Sequence, residues 1–257
     1  METTPGQLDT ADLEDRVRSM YELVATYPHQ EFHFETGRAL AERLGYPTLD
    51  LDRIPAPAIE SFAGVGYFHD LAALQPGESV LDLGSGSGMD SFLAALAVGD
   101  TGAVIGVDMT PAQVEKARHL GADFANTEFR QGRVEAPDVP PGTLDCIISN
   151  GVINLVPEKA RVLDAAARAL KPGGRLVVAD IVSAVPLPEN VTCDASLWAA
   201  CIGGAMQQDS FLAAIESAGF TVDTVRPNGA YRFLSSRAVK ATGKYGVASI
   251  SVAARRA

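Results

Sequence analysis

Short runs of apolar residues alternate with longer amphipathic stretches from about Ser79 to about Gly219. This alternation predicts strands and helices in series, which is typical of a parallel sheet with helices on both faces. The apolar runs are rich in β-branched residues, as expected of strands that are covered on both sides. They predict five strands, Ser79–Leu83, Ala103–Asp108, Thr127–Gln131, Cys146–Ser149 and Arg175–Ile181.

Helix-like stretches separate and follow these strands. Pro111 suits the first position of a helix, and Lys171-Pro172-Gly173-Gly174 ends another. The predicted helices are Met89–Val98, Pro111–Ala122, Glu158–Leu170, Ser196–Met206 and Asp209–Ala218. Beyond Phe220 the pattern predicts two last strands, Val222–Arg226 and Val247–Ala254, which we expect to form an antiparallel hairpin. The chain is thus an α/β protein with a doubly wound, mainly parallel sheet of seven strands.

The N-terminal part follows a different pattern. Ala11–Thr26 and Thr36–Leu44 are helix-like, and Tyr27–Phe34 between them is rich in aromatic residues and histidine. A segment of this size is marginal for an independent core, whereas packing over a cleft would bury its apolar side. We therefore expect residues 1–70 to form a helical cap or lid and residues 71–257 to form the main domain.

Composition and charge narrow the class of partner. Of the 257 residues 47% are hydrophobic and 21% are charged, as in ordinary globular proteins. The net charge of −11 disfavours nucleic acid and favours a small-molecule substrate. The sequence contains no run of about 20 apolar residues and begins with acidic residues, so we expect no membrane segment, no secretory signal and a cytoplasmic location. The oligomeric state is expected to be a monomer or homodimer.

The three cysteines, Cys146, Cys193 and Cys201, give no sign of a metal centre. No C-x-x-C pair is present, and Cys146 is remote from the other two. Three cysteines also cannot all pair with one another, and nothing in the sequence indicates an oxidising compartment. We expect no bound metal.

The strongest chemical signal is a glycine-rich turn directly after the first strand. Asp82 precedes Gly84-Ser85-Gly86-Ser87-Gly88, and a helix follows. Glycine at alternate positions lets the backbone approach a ligand closely and adopt turn conformations that a Cβ would oppose. Such a turn alone is weak evidence, but the spacing differs from the G-x-G-x-x-G of dinucleotide-binding folds.

A second carboxylate stands at the end of the next strand. Asp108 follows the turn by about twenty residues, which is the distance at which a carboxylate can accept hydrogen bonds from both ribose hydroxyls. Asp108 could instead cap the helix that begins at Pro111, although Thr110 could fill that role equally well. Asn150, at the end of the fourth strand, has two compatible interpretations: a residue of the Asn150-Gly151 turn, or a ligand contact.

These segments resemble the motifs of class I S-adenosylmethionine-dependent methyltransferases, which have a Rossmann-like fold. The matching segments are Val80–Gly88, Gly106–Met109 with Pro111, Glu128–Glu135, Ile148–Leu155 and Leu170–Gly174. The resemblance implies S-adenosylmethionine as cofactor and S-adenosylhomocysteine as its product. It also implies that the cofactor is bound by Asp82, Gly84, Ser85, Gly86, Gly88, Asp108, Met109, Val134, Glu135 and Asn150, with Asp108 on the ribose, Val134 and Glu135 beside adenine, and Asn150 at the methionine end.

Over roughly Ser61–Gly219 the chain is similar to the arsenite methyltransferases. The segments in which this similarity lies are Gly86–Asp90, Ile148–Leu155 and Leu197–Ala205. That family binds trivalent arsenic through cysteine thiolates, which are soft ligands for a soft centre. By this resemblance Val65 and Gly151 stand where the family has cysteines, and only Cys201 matches. Cys201 is open to two interpretations, a thiolate ligand or a small buried residue.

The sequence gives weaker evidence about the residues that would bind the methyl acceptor. Tyr21, His29 and His33 are the candidate catalytic residues, because histidine can accept a proton near neutral pH. The spacing of the two histidines would place them on one face if the stretch were helical. Further candidate acceptor contacts are Tyr27, Asn154, Trp198 and Met206.

The functional hypothesis is methyl transfer to a small-molecule acceptor, in specialised metabolism, through a cysteine-free pocket. The first alternative is methylation of arsenite or another metalloid with the help of Cys201 and external thiols. The others are a non-methylating use of the same cofactor, such as cyclisation, and a cofactor-binding module without turnover.

Overall fold

A computed structural model describes residues 8–199 and 202–257 of the chain. Its centre is one sheet in the order β3-β2-β1-β4-β5-β8-β7, with the short strand β6 paired to β5. Strands β1 to β6 are paired in parallel, whereas β8 runs antiparallel to both β5 and β7. The strands are β1 Ser79–Leu83, β2 Ala103–Asp108, β3 Thr127–Gln131, β4 Leu144–Asn150, β5 Leu170–Ser183, β6 Met206–Gln207, β7 Phe220–Pro227 and β8 Ala248–Arg256.

Helices cover both faces of this sheet, and five of them precede it in the chain. The helices are α1 Thr10–Thr26, α2 Arg38–Leu44, α3 Thr48–Leu51, α4 Ala56–Glu60, α5 His69–Ala72, α6 Met89–Val98, α7 Pro111–Leu120, α8 Lys159–Ala169, α9 Glu189–Thr192, α10 Ala195–Ala199, α11 Gln208–Ser217 and α12 Ser236–Tyr245. No helix among the described residues is long and apolar enough to cross a membrane. The predicted α/β class and the doubly wound, mainly parallel sheet are confirmed, with the two-residue β6 added to the seven expected strands.

The core lies on the two sides of the central strands. Leu81, Leu83 and Ile147 face one buried layer, whereas Val80, Cys146 and Ile148 face the other. Alternate residues of β1 and β4 thus point to opposite faces, and both faces are apolar because helices cover both. The sheet therefore holds the carboxyl ends of β1, β2 and β4 rigidly side by side.

The N-terminal helix α1 lies over this edge of the sheet. Leu13 and Val17 pack against Ala195 and Trp198 of α10. Three side chains of the main sheet region bind it: Gln113 donates to the Tyr21 carbonyl at 3.0 Å, Lys116 donates to the Ala25 carbonyl at 2.9 Å, and Arg133 pairs with Glu14 at 2.7 Å. Whether residues 1–70 act as a separate lid remains a prediction.

Two predictions, one helix and the final hairpin, differ clearly from the structure. The predicted helix Ser196–Met206 is wrong in its second half: α10 ends at Ala199, residues 200 and 201 lie outside the described residues, and Met206 begins β6. Gly203 and Gly204 explain the change, because glycine disfavours helix and a Cβ on Gly204 would lie 1.8 Å from the Asn154 carbonyl oxygen. In addition, α12 separates β7 from β8, so this antiparallel pair is not a tight hairpin.

The histidine stretch is irregular. Residues 27–37 are not helical, so the condition under which His29 and His33 would share a helix face is not met. Pro28 lies within this stretch, and proline removes a backbone donor and restricts the residue before it.

Candidate active site

A cleft of about 550 Å³ opens at the carboxyl ends of β1, β2 and β4. Its floor is formed by the loops that follow these strands, and α1 and residues 58–64 form the opposite wall. Open α/β sheets bind ligands at this edge, and the volume is in the range of small-molecule sites. Of the ten residues predicted to bind the cofactor, all except Gly88 line the cleft.

The glycine-rich turn after β1 has the conformation that its sequence predicts. Gly84, Gly86 and Gly88 all have positive φ, at 75°, 53° and 94°. A Cβ on Gly84 would lie 2.2 Å from the Val152 side chain, whereas the nearest atom to a Cβ on Gly86 would be the Gln113 amide at 3.8 Å. Gly84 is therefore required by close packing, and Gly86 leaves this part of the cleft open to a ligand.

Gly88 has a different function. It caps the start of α6, and a Cβ there would lie 2.9 Å from the rings of Phe92 and Phe129. Its contribution is to bring α6 close to the sheet, beneath the cleft.

Asp108 ends β2 with its carboxylate directed at the glycine turn. One oxygen accepts a hydrogen bond from the Gly86 N–H at 3.0 Å, and the other accepts from the Thr110 N–H at 2.8 Å. Burial raises the pKa of this carboxyl, and these two donors oppose the effect. The bond to Thr110 shows that Asp108 supports the start of α7 as well as facing the cleft, so the two interpretations of this residue are compatible.

Two further carboxylates lie deep in the wall at the end of β1. Asp82 is 2% exposed and accepts a hydrogen bond from the Ser91 hydroxyl at 2.6 Å. Burial, reinforced by the negative charge of Asp90, raises its pKa to about 8. Asp82 therefore lies close to its titration midpoint at neutral to slightly basic pH, where a bound cation would favour its ionised form.

Asp90, in the first turn of α6, is contacted by three side chains. The Tyr46 hydroxyl donates at 2.6 Å, His69 Nε2 lies at 2.9 Å, and Asn150 Nδ2 donates at 3.1 Å. Tyr46 is buried, and burial and the negative charge of Asp90 raise its pKa well above the ordinary value. Tyr46 is therefore a hydrogen-bond donor throughout the physiological pH range.

The Asn150 side chain fastens residues 63–66 to the sheet. Its Oδ1 accepts from the N–H groups of Val65 at 2.8 Å and Gly66 at 3.3 Å, while Nδ2 donates to Tyr46, Asp90 and the Gly66 carbonyl. The side chain is thus occupied by protein groups. A direct contact of Asn150 with a ligand would have to come from its backbone or its apolar edge.

The loop after β3 forms the far end of the cleft. Val134 is 8% exposed and Glu135 lies beside it, and both line the cleft together with Met109. Arg133 pairs with Glu135 at 3.2 Å and with Glu14 of α1 at 2.7 Å. Among the described residues, Arg133 is the single basic side chain of the lining, against the carboxylates of Glu14, Asp82, Asp90, Asp108, Glu135 and Glu158.

The three candidate catalytic residues are not brought together. Tyr21 lines the cleft from α1 and stacks on Phe34, with ring centres 5.9 Å apart. His29 is 81% exposed and lies 3.8 Å from Glu60, and His33 packs edge-on against Phe34. Neither histidine is among the residues that line the cleft.

The other candidate acceptor contacts also lie outside the lining. Tyr27 is 62% exposed, whereas Trp198 is 6% exposed and donates through Nε1 to the Thr192 carbonyl at 2.7 Å. Asn154 and Met206 are also absent from the described lining. Cys201 lies outside the described residues.

Two buried groups of opposite charge, Lys159 and Asp180, influence each other electrostatically near the cleft. Lys159 Nζ lies 4.6 Å from the centre of the Trp198 ring and donates to the carbonyls of Asn154 and Val156 at 3.1 and 2.9 Å. Asp180 accepts from the Asn154 N–H at 3.1 Å. Burial lowers the pKa of Lys159 to about 8 and raises that of Asp180 to about 6, and each charge partly opposes the shift of the other.

Sequence reasoning missed four residues of the site. Asp90 belongs to the quoted phrase Gly86–Asp90, and an acidic residue one turn beyond a ligand-binding glycine turn could have marked it. Tyr46, His69 and Gln113 had no such local signal, because only the tertiary fold brings Tyr46 and His69 against Asp90 and Gln113 into the cleft lining. Gln113 accepts from the Ser87 hydroxyl and donates to the Tyr21 carbonyl, thereby joining the glycine turn to α1.

Comparison with known proteins agrees with this geometry. The methyltransferase-domain family matches residues 74–219, more than half of the chain. An arsenite methyltransferase of Halobacterium salinarum is 43% identical over 195 residues, which are 75% of this chain and 50% of the relative. The chain spans about half the length of the curated relatives that it matches first.

A solved structure of an arsenic methyltransferase supports the same assignment. An arsenic(III) S-adenosylmethionine methyltransferase from Chlamydomonas reinhardtii is 30% identical with a TM-score of 0.63, covering 85% of this chain and 73% of that one. A geranyl diphosphate C-methyltransferase from Streptomyces coelicolor, in complex with S-adenosylhomocysteine, matches both chains over their full length with a TM-score of 0.68. At 16% identity this second likeness shows the fold alone. The chain therefore belongs to the class I S-adenosylmethionine-dependent methyltransferases, as an arsenite-methyltransferase-like member.

Proposed function

We propose that this chain binds S-adenosylmethionine in the cleft and transfers its methyl group to a small-molecule acceptor. The observation that carries the proposal is the position of Asp108, which ends β2 inside the cleft and faces a glycine turn of positive φ. A carboxylate at this place can accept hydrogen bonds from ribose hydroxyls, and the open space at Gly86 admits the rest of the nucleoside. The residues present therefore fit the cofactor of the family.

The order of the strands supports one direction for the cofactor. With ribose at Asp108, adenine would extend towards β3, near Val134 and Glu135. The methionine part would extend the other way, across β1 to β4, which lies two strand spacings or about 10 Å from β2. Asp90 and Asn150 line the cleft at that end.

When bound, S-adenosylmethionine supplies a sulfonium methyl group: a lone pair of the acceptor forms the new bond to carbon while the C–S bond breaks, and its electron pair stays on the sulfur of S-adenosylhomocysteine. The chain has to hold the acceptor in line with that bond and exclude water. Leu13 and Val17 of α1 place apolar surface over the cleft for this purpose. Tyr21 is the predicted catalytic residue that also lines the cleft, whereas His29 and His33 have no part in this proposal.

Trivalent arsenic is the acceptor that the relatives favour. The first curated relatives and the Chlamydomonas structure are arsenite or arsenic(III) methyltransferases, and this support exceeds that for specialised metabolism. No cysteine is among the described residues that line the cleft. Arsenite would therefore have to be bound with the help of Cys201 and thiols from solution, which bind a soft metalloid strongly.

A second candidate is an organic acceptor, and one observation favours it. Val65 and Gly151 stand where the resemblance implies cysteines, and they are neighbours: a Cβ on Gly151 would lie 3.2 Å from a Val65 methyl group. Val65 is 2% exposed and Gly151 has φ 73°. Gly151 lines the cleft, Val65 is buried against it, and neither position supplies a thiol, which suits an apolar acceptor better than a metalloid.

A turnover assay tests the proposal and separates the two acceptors. The protein is mixed with S-adenosylmethionine and either arsenite with glutathione or a pool of organic acceptors, and mass spectrometry follows S-adenosylhomocysteine and methylated products. Methylated arsenicals that disappear in Cys201→Ala but persist in Cys193→Ala would establish the arsenic route. A methylated organic product without arsenic turnover would establish the second candidate.

Two results would contradict methyl transfer. A cofactor product other than S-adenosylhomocysteine would indicate a cyclase or another non-methylating enzyme. Tight cofactor binding without turnover of any acceptor would indicate a binding module. The cytoplasmic location, the absence of a nucleic-acid partner and a monomeric or homodimeric state remain predictions.

A further inference from the structure

Positive charge is concentrated in residues 224–257. This segment contains seven Lys or Arg and no Asp or Glu, whereas the other 223 residues contain 14 Lys or Arg and all 32 Asp and Glu. The segment therefore carries a formal charge of +7 in a chain whose net charge is −11. Such a separation of charge creates a surface that attracts anions although the whole chain is acidic.

Three cations of this segment are exposed and are not neutralised by an acid of the protein. Its ion pairs use Arg226 and Arg255, near the two ends of the segment. Arg232, Lys240 and Lys244 are exposed, and none of the ion pairs between described residues includes them. Because Lys240 and Lys244 are one turn apart on α12, their charges add on one side of that helix.

Exposed aliphatic side chains lie beside these cations. Val185 is 46% exposed, Leu234 is 49% and Val239 is 55%, and these are three of the seven large apolar side chains that are exposed among the described residues. Val239 precedes Lys240 on the outward side of α12, whose inward side packs on the core. We call this set the basic face: Val185, Arg232, Leu234, Val239, Lys240 and Lys244.

Two separate segments build the basic face at the carboxyl edge of the sheet. The N–H groups of Ala184 and Val185, after β5, donate to the Tyr245 carbonyl at the end of α12, at 3.0 and 3.3 Å. Residues 184–188 also contain no acid, and Glu189 of α9 is the first one beyond them. Since β5 and β7 both end here, the basic face lies on the same edge of the sheet as the cleft.

Ordinary solvent exposure accounts for only part of this arrangement. Exposed lysines on a helix and single exposed apolar side chains are common on soluble proteins. Here both kinds are concentrated at one place, and the acids that are usually interspersed with lysines are absent from both segments. Cations around aliphatic side chains are complementary to an anionic lipid surface, which has negative head groups over an apolar interior.

We propose that the basic face binds the surface of a membrane that contains anionic phospholipids. Its cations contact the head groups, while Val185, Leu234 and Val239 enter the boundary between head groups and acyl chains. Each Lys or Arg near such a surface strengthens binding about fivefold. Acids farther than about 10 Å from the membrane oppose this little, because salt screens them.

Two features separate a lipid surface from other anionic partners. The phosphates of a nucleic acid would pair with the cations but would leave the three aliphatic side chains without an apolar partner. The position of the face at the cleft edge also means that a membrane-bound chain would hold its cleft close to the lipid. The lipid contact itself does not depend on the proposed function.

Co-sedimentation of the purified full chain with vesicles tests the proposal. Vesicles of phosphatidylcholine alone are compared with vesicles that also contain phosphatidylglycerol, at low and at high salt. The variant Lys240→Gln/Lys244→Gln removes two cations of the basic face. The control Arg168→Gln/Lys171→Gln removes two exposed cations at the start of β5, on the opposite edge of the sheet. Circular dichroism confirms that each variant is folded.

We expect the wild type to bind the vesicles with phosphatidylglycerol at least about tenfold more tightly than phosphatidylcholine alone. Lys240→Gln/Lys244→Gln should weaken this binding about 20-fold at low salt, and high salt should remove the difference. The control should change binding by less than about twofold. Leu234→Ser/Val239→Ser keeps the charge and should weaken binding about tenfold at both salt concentrations. This variant keeps the test usable if the lysine variant is poorly folded.

Three outcomes would overturn the proposal. Equal losses in Lys240→Gln/Lys244→Gln and in the control would mean that net charge, and not the basic face, governs binding. Binding of single-stranded RNA through Lys240 and Lys244 without binding of any vesicle would make the partner a nucleic acid. A lower mass of the lysine variant in light scattering, again without vesicle binding, would assign the face to a second copy of the chain. The proposed function stands in all three cases, because none of these assays involves the cofactor.

Discussion

The Asp108 carboxylate accepts a hydrogen bond of 3.0 Å from the Gly86 N–H, and this bond joins the end of β2 to the glycine turn after β1. The two segments are distant in sequence but adjacent in the sheet, since β1 and β2 are paired throughout. The cofactor would bind at this junction.

Replacing Asp108 by asparagine should weaken binding of S-adenosylmethionine about 10- to 100-fold. The amide keeps the shape of the side chain but loses the charge and one acceptor for the ribose hydroxyls. Isothermal calorimetry measures the change. Asp100→Asn, in an exposed turn outside the cleft lining, should bind like the wild type. Unchanged affinity in Asp108→Asn would show that ribose binds elsewhere.

Asp82→Asn should stabilise the cofactor-free protein increasingly as the pH rises. The folded-state pKa of about 8 exceeds the unfolded value of about 4, so the folded chain retains this proton more firmly. The stabilisation that this provides is complete below about pH 4 and is lost as the pH approaches 8. Asparagine does not titrate.

Denaturant unfolding at pH 5 and pH 8.5 measures this effect. The free-energy difference between Asp82→Asn and the wild type should shift in favour of the variant by more than about 1 kcal/mol between these pH values. Asp164→Asn, on the exposed side of α8, serves as the control and should show no such trend. A pH-independent difference would mean that Asp82 is ionised throughout the range.

The ion pair between Glu14 and Arg133 should slow the release of cofactor. It joins α1 to the loop after β3, where adenine is proposed to bind, but it is partly exposed, so its contribution to global stability is at most about 1 kcal/mol. We expect Glu14→Gln to speed dissociation of S-adenosylhomocysteine about threefold at low salt, with the difference disappearing at high salt. Stopped-flow displacement measures the rate.

The matched control lies on the same helix. Asp12 pairs with Arg16 at 2.8 Å, and neither of the two lines the cleft. Asp12→Asn should leave the dissociation rate unchanged. If Glu14→Gln behaves like Asp12→Asn at every salt concentration, α1 is not held by this pair during release.

Lys159→Ala should destabilise the protein by about 3 kcal/mol. Its ammonium group lies against the Trp198 ring and donates to the Asn154 and Val156 carbonyls, so its removal leaves two buried acceptors unsatisfied and a gap under the ring. It also removes the positive charge that lowers the pKa of buried Asp180. Lys159→Met fills much of the gap and should cost less. Lys171→Ala removes an exposed partner of Asp145 and should cost below about 1 kcal/mol, as urea unfolding would show. Equal losses in the Lys159→Ala and Lys171→Ala variants would contradict the account.

The local pattern of apolar and polar residues was sufficient to predict the main strands of the sheet. β1, β2, β3 and α6 have the predicted bounds, because each combines a clear apolar period with glycine, proline or a capping residue at its ends. The sequence around α12 has comparable end signals, since Ser235 caps the start of the helix and Gly246 ends it. This helix was not predicted, because the segment was interpreted as the connection of a tight hairpin.

Long-range contacts could not be predicted in the same way. His29 and His33 suggested chemistry by residue type, yet a non-helical backbone places them away from the cleft. Tyr46 and His69 carry no motif, and they reach Asp90 because α2, α5 and α6 pack around the same strand ends. The identity and spacing of residues in the sequence thus indicate where the nucleoside would bind. The residues around the proposed methionine end, in contrast, come together only through tertiary packing.

A crystal structure of the protein with S-adenosylhomocysteine tests the central claim most directly. The account predicts the ribose hydroxyls within hydrogen-bond distance of Asp108, adenine beside Val134 and Glu135, and the methionine part beside Asp90 at the end of β4. Electron density for the ligand outside this cleft, or a ribose that does not contact Asp108, would contradict it.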